Sequence, residues 1–278
     1  MFIASRGYGQ VSVGKQRSLP LSLTARVLPA HRFVNYLWIV PLALGFASWE
    51  LVTRLNLIPK SNLPTFSAVL SIFFSSVQDS LFLLRIAHSF LNLICGLLLA
   101  FSMALPLAFI AGSRHRFDLT FTPLIMLFGA LPDLSLLPLL VLWFGPGSVA
   151  AVIMASLAAF FPIFFTIREG TKNIPRELYD VTMVFKSDRF STFTKMVLPA
   201  ISPHMFSGLR LAYDFDWEII IAIEIATRVA GIGSFIEGTV TAGSLESGFA
   251  AILAIALLAV VVDRAFFGTL ESWARKWT

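Results

Sequence analysis

One cysteine in 278 residues, four histidines and a charged fraction of only 13% remove much of what soluble enzymes are built from. Cys95 stands alone, so the chain forms no internal disulfide, and its apolar neighbours mark it as a buried packing residue. His31, His88, His115 and His204 are scattered, without metal-ligand spacing. His88 and His204 fall near the ends of apolar stretches, where an interfacial hydrogen bond accounts for each. No glycine-rich loop ends in Gly-Lys-Ser/Thr, so the chain does not hold ATP in the usual way. No catalytic constellation or internal repeat is visible. These absences describe a non-enzyme with no cofactor and no metal, driven by an energy source outside itself.

What fills the chain is apolar surface: 57% of residues are hydrophobic and the mean hydropathy is +0.81. Soluble domains are about a quarter charged, so this is an integral membrane protein in contact with lipid. Six stretches, near 34–53, 84–112, 119–143, 148–167, 204–227 and 249–268, approach or exceed the roughly 20 residues a spanning helix needs. The expected fold is all-α and polytopic. Prolines interrupt several spans, and Pro123, Pro132 and Pro138 crowd the third, which predicts a kinked helix facing protein or a pathway. Between the first two spans, Phe66, Val69, Leu70, Phe73, Phe74 and Val77 predict a short amphipathic helix lying in the outer interface, with Ser and Gln outward.

The net charge of +5 is not a nucleic-acid signal, because the basic residues are sorted along the chain. Arg6, Lys15, Arg17, Arg26 and Arg32 precede the first acid, Glu50. Arg114 and Arg116 follow the second span, and Arg168, Lys172, Arg176, Lys186, Arg189, Lys195 and Arg210 lie between the fourth and fifth. Arg264, Arg275 and Lys276 close the chain. The positive-inside rule places both termini in the cytoplasm. The organisation is then a basic tail over 1–33, a first span with its external segment over 34–79, a membrane core over 80–268 and a tail over 269–278.

One cytoplasmic loop, 173–203, is patterned where a connector would be featureless. Leu178, Val181, Thr182 and Phe185 follow the spacing of one helical face, and Phe190, Phe193 and Val197 repeat it after Lys186-Ser187-Asp188. A short amphipathic helix with too little chain to cover it needs a groove on another protein.

The loop resembles the "EAA" loop of permease subunits of bacterial ABC importers. The resemblance rests on Arg176-Glu177-Leu178-Tyr179-Asp180-Val181-Thr182-Met183-Val184-Phe185 and its spacing to Leu198-Pro199 and Gly208-Leu209-Arg210. Leu63-Pro64-Thr65, Pro132, Leu136-Leu137-Pro138-Leu139, Leu142-Trp143-Phe144-Gly145 and Phe161-Pro162-Ile163 extend it over roughly residues 60–265. They resemble the branch importing sulfonates, taurine, nitrate and related small solutes, thiamine precursors among them. The resemblance implies a type I permease fold in the bacterial cytoplasmic (inner) membrane. It also implies two copies of a cytoplasmic ATP-binding subunit, a second permease copy (the same chain or a close relative) and an external solute-binding protein. Glu177, Asp180, Val181, Thr182, Phe185, Lys186, Leu198 and Pro199 would form the ATPase-coupling loop. Two departures stand out: the acidic-Ala-Ala triplet is Asp180-Val181-Thr182, and Lys186 occupies the place of the turn glycine. A glycine there supplies positive φ at no steric cost, so Lys186 carries strain unless the turn is built differently.

The fifth span holds the oddest chemistry: Asp214, Asp216, Glu218 and Glu224. Each carboxylate at a helix centre costs roughly 2.5–3.5 kcal/mol on insertion scales. Spacing puts Asp214 with Glu218 on one face, and Trp217, Ile221 and Glu224 on another. An acid at Glu224 is ordinary for the family the chain resembles; acids at Asp214 and Asp216 are not. Either Asp214 and Asp216 are hydrated near the cytoplasmic end or paired with Arg210, or they line the pathway with Trp217 and Glu224 and favour a cationic or neutral solute. Two other functions fit the bare topology: a carrier or channel driven by an ion gradient, and a membrane scaffold.

Overall fold

The structure, a computed structural model, describes residues 39–59 and 61–270. The tail over 1–33, the start of the first span, and Arg275 and Lys276 lie outside the described residues. The chain divides at Ala47/Ser48 into two units, the first contributing to the described residues only the opening of α1 (Ile39–Arg54). That helix is apolar and exposed nearly all round, as a lipid-facing helix is.

The core of the second unit is built on α3 (Ser80–Ser113) and α6 (Ser148–Lys172), packed along their lengths, with α8 (Leu198–Thr227) against α6. Small residues permit the approach. Ala100, Ala104, Ala108 and Ala111 recur every three or four positions on α3, and Ala151, Ala155, Ala158 and Ala159 recur on α6, all buried. Close backbone packing replaces the hydrophobic drive that lipid abolishes. Two glycines of α3 mark close approaches: a Cβ at Gly96 would stand 2.6 Å from that of Ala155, and one at Gly112 would stand 2.5 Å from that of Thr171.

Between α1 and α3 lies α2 (Phe66–Ser76), capped by Thr65, whose hydroxyl accepts from the Ala68 amide at 3.3 Å. Glu50 of α1 accepts from the Ser67 amide (3.0 Å) and hydroxyl (2.8 Å), pinning the two helices together. The amphipathic segment is thus present but shorter than its sequence pattern. Val69 is buried and α2 packs on α10 (Leu245–Val262), while Phe74 and Val77 are exposed.

The third span is broken, not kinked. α4 (His115–Gly129) stops, a 3-10 turn runs over Asp133–Leu136, and α5 (Leu137–Phe144) leaves at 81° to α4. Pro132 sets the break, since it cannot donate the hydrogen bond that would carry α4 onward. α8 likewise ends at Thr227 and α9 (Ile232–Thr241) leaves at 52°. Among the described residues, three unbroken helices are long and apolar enough to span, and up to five if each bent pair is one span; six spans are compatible with that count.

Cys95 is exposed on α3, contrary to its sequence reading. A spanning helix presents apolar side chains outward, so an apolar neighbourhood in sequence does not imply burial in protein.

Candidate functional site

The loop over 173–203 leaves α6 at Lys172 and enters α8 at Leu198, the two helices at the centre of the core. Asp118, 5% exposed, fixes the departure point. Its carboxylate accepts from Arg168 Nε (2.5 Å) and a terminal nitrogen of the same guanidinium (2.9 Å), from Lys172 Nζ (2.5 Å) and from Thr122 Oγ1 (2.7 Å). Two of the cations read from sequence as loose cytoplasmic charge are therefore tied to α4. Sequence reasoning passed over Asp118; an acid four residues before a threonine at a helix start is a weak signal.

α7 (Arg176–Val184) carries the first pattern, anchored on its inner side by buried Ile174 and half-buried Tyr179. Burial pushes the Tyr179 phenol above its usual range. The outer side is bare: Val181 is 51% exposed, Val184 79% and Phe185 77%, and Glu177, Leu178 and Asp180 are also exposed. Thr182 is half-buried and donates back to the Tyr179 carbonyl at 2.8 Å.

Lys186 adopts φ +50°, the left-handed conformation a glycine would take. The Lys186 amide donates to the Met183 carbonyl (3.0 Å) and the Ser187 amide to that of Thr182 (3.0 Å), the paired bonds of a Schellman ending. The turn is built as a glycine would build it, with a lysine in the place. Asp188 then starts the next turn, accepting from the Ser191 amide at 3.2 Å.

The second pattern does not stay on one face. Phe190 is exposed, whereas Phe193 packs edge-on against Phe109 at 5.1 Å and Val197 is buried. The chain widens to i→i+5 bonding over Phe193–Val197 and slips the register just before Leu198 and Pro199, both half-buried at the start of α8.

On α8 the faces divide as the spacing predicts. Asp214 and Glu218 are exposed; Trp217 and Glu224 are buried and Ile221 half-buried. Arg210 pairs with Asp263 (Nε to Oδ1, 2.6 Å), joining α8 to the segment after α10, and its charge also acts on Asp214 across the cleft they share. Asp214 lines a cleft of about 350 Å³ with Thr166, Ser207, Arg210 and Phe267. Asp216 is fully buried, neither carboxylate oxygen having a hydrogen-bond partner.

Glu224, fully buried, organises the turn after α8. It accepts from the Gly233 amide (2.9 Å) and from Ser89 Oγ (2.8 Å), while Ser89 Oγ accepts from the Ile232 amide (2.9 Å). Two amides at the start of α9 that lack helical partners are thus capped from α8 and α3. A Cβ on Gly231 would fall inside the Glu224 carboxylate, so the turn closes only without one. Ser89, 135 residues away in sequence, could not be foreseen as its partner.

His88 meets Ser148 Oγ at 3.2 Å through Nε2, whereas Nδ1 of His204 is buried with no hydrogen-bond partner. The His204 ring instead packs against Gly170 of α6.

The profile of the family described as "Binding-protein-dependent transport system inner membrane component" matches residues 96–267, more than half of the chain. The protein described as aliphatic sulfonates transport permease protein SsuC of Bacillus subtilis is 25% identical over 94% of this chain and 95% of its own length. The nitrate import permease protein NrtB of Leptolyngbya laminosa is 29% identical over 64% of each chain. The taurine transport system permease protein TauC of Escherichia coli is 24% identical over 84% of this chain and 87% of its own. Among solved structures, a chain of the MetNI methionine ABC transporter in an inward-facing conformation aligns with TM-score 0.60 and 14% identity. It covers 71% of this chain and 96% of that one, a likeness of fold.

Proposed function

The chain belongs to the binding-protein-dependent transport system inner membrane component family, and on that premise we propose that α7 couples ATP hydrolysis in a partner subunit to movement of α8. The protein is a multi-pass permease subunit of an ABC importer in the inner membrane, not an enzyme, and works with an ATP-binding subunit and a solute-binding protein. The observation that carries the coupling role is the bare outer face of α7, with Val181, Val184 and Phe185 exposed at the junction of the two central helices. In this reading Glu177, Asp180, Val181, Thr182 and Phe185 seat in a groove of the ATPase. Lys186 sets the turn, and Leu198-Pro199 receive the push. Because α8 packs along α6 and both leave the loop, a displacement of α7 is delivered to the core rather than lost in a slack connector.

The assembly contains two ATP-binding subunits and two permease copies, identical or closely related. The exposed face of α8 supports the second copy: carboxylates such as Asp214 and Glu218 do not face lipid, so that face is turned toward protein or water. Asp214 then lies on the pathway, with Asp216, Trp217 and Glu224 behind it. The basic residues put the loop and both termini in the cytoplasm, and the divisions at 1–33, 34–79, 80–268 and 269–278 follow from that topology. The relatives' names span sulfonates, nitrate and taurine, and a small solute is the proposed cargo here.

The test is to reverse the docking surface. Asp180→Lys and Phe185→Asp should abolish the link between hydrolysis and uptake while the protein inserts at normal levels, because the loop does not enter lipid. Wild-type uptake with normal ATPase stimulation in both variants would sink the coupling role.

A further inference from the structure

Carboxylates gather where the third span breaks. Asp133 opens the 3-10 turn, and Glu218 faces it from α8 across a cleft of about 240 Å³ lined also by Pro132, Leu134, Phe215 and Ile219. None of those lining residues is basic. Asp133 is within electrostatic reach of both Glu218 and Asp216. Asp216 is fully buried and its two oxygens have no hydrogen-bond partner. At about 100° per residue it falls about 60° beyond Ile219, on the flank of α8 next to the cleft. Arg210, the cation nearest in sequence on α8, is held by Asp263.

Three acids brought together in a membrane-embedded break repel one another and each resists desolvation. Retaining them is explicable if something positive passes or rests there. Pathways for anions are lined by Arg or Lys, those for cations by Asp or Glu. We propose that the path beside α8 selects for positive charge, so that the solute presents a protonated amine or other organic cationic group to Asp133 and Glu218, with Asp216 buried behind them. This rests on the permease reading and departs from nitrate and sulfonate, the anions in the relatives' names.

A test independent of the solute's identity uses the assembled importer in membrane vesicles, with Cys95→Ser and Phe215→Cys. Phe215 lines the cleft and is 49% exposed, so the new thiol samples it with every carboxylate intact. Three methanethiosulfonate reagents are compared, carrying a trimethylammonium, a sulfonate or a neutral hydroxyethyl group, each rate normalised to a free thiol. The cationic reagent should outpace the sulfonate at least about tenfold, as expected of a cleft lined by one sign of charge. Glu218→Gln should reduce the preference, and Asp133→Asn with Glu218→Gln should reduce it further. Methylammonium should slow the cationic reagent more than sodium at equal ionic strength; equal protection by sodium would overturn the organic-cation assignment. Equal rates for the two charged reagents, with the neutral one reactive, would overturn the selectivity and leave the path intact. Failure of all three would remove this face from any aqueous path, overturning the pathway reading together with the selectivity.

Discussion

Lys186 and Asp118 carry their roles through backbone conformation and buried charge. A non-glycine residue in the left-handed region costs about 1–2 kcal/mol, and at Lys186 the Schellman bonds hold it there. Lys186→Gly should therefore stabilise the loop by about 1 kcal/mol, offset in part by the freedom glycine gains when unfolded. Lys186→Val should weaken it, since β-branching makes the left-handed conformation still less accessible. Amide exchange at Met183–Ser187 checks both: slower for glycine, faster for valine. Asp118 differs in kind, because its removal strands Arg168 and Lys172 without their shared acceptor. Asp118→Ala should cost about 3 kcal/mol and loosen the root of the loop. Thermal unfolding of the detergent-solubilised complex should show the loss, and Arg168→Met added to Asp118→Ala should recover part of it. No recovery would mean that the stranded charge is not the source of the cost.

The elements most informative about action are the two interrupted ones. The turn between α8 and α9 is held by Glu224, Ser89 and the amides of Ile232 and Gly233. Gly231→Ala places a methyl group where the carboxylate lies, so it should displace Glu224 and impair transport as strongly as Glu224→Ala. Ser89→Ala, which removes one hydroxyl, should be milder, costing about 1–3 kcal/mol for the group left unsatisfied. Uptake rate set against complex yield separates a bent but assembled protein from one that fails to assemble. The register of these elements was only partly legible in sequence. The faces of α8 and the helix at α7 follow from periodicity. The break at Pro132 showed as a proline cluster but not as an 81° turn, because a proline states only that a bond is missing, not how the chain beyond it repacks. Phe190, Phe193 and Val197 misled for a related reason: a widened turn shifts the register, and periodicity assumes a constant one.

At the scale of the whole molecule the prediction is topological. Single cysteines at Ser187 and Ser244, in a Cys95→Ser background, should react with an impermeant thiol reagent from opposite sides, Ser187 only from the cytoplasm. Reaction of Ser187 from outside would overturn the orientation and the coupling role with it. Composition by itself determined that the chain lives in lipid, because so small a charged fraction leaves too little polar surface for a soluble fold. Spacing determined that 173–203 carries an exposed helix, and charge order gave the expected sidedness. Tertiary structure alone decided which charges meet. Arg210 joins Asp263 across 53 residues, Asp118 gathers Arg168 and Lys172 from another span, and Ser89 reaches Glu224 across 135. Local sequence encodes which face of a helix is apolar, since that depends on neighbours three and four positions away. A buried charge takes its partner from whichever helix packs beside it, and no local pattern records that choice.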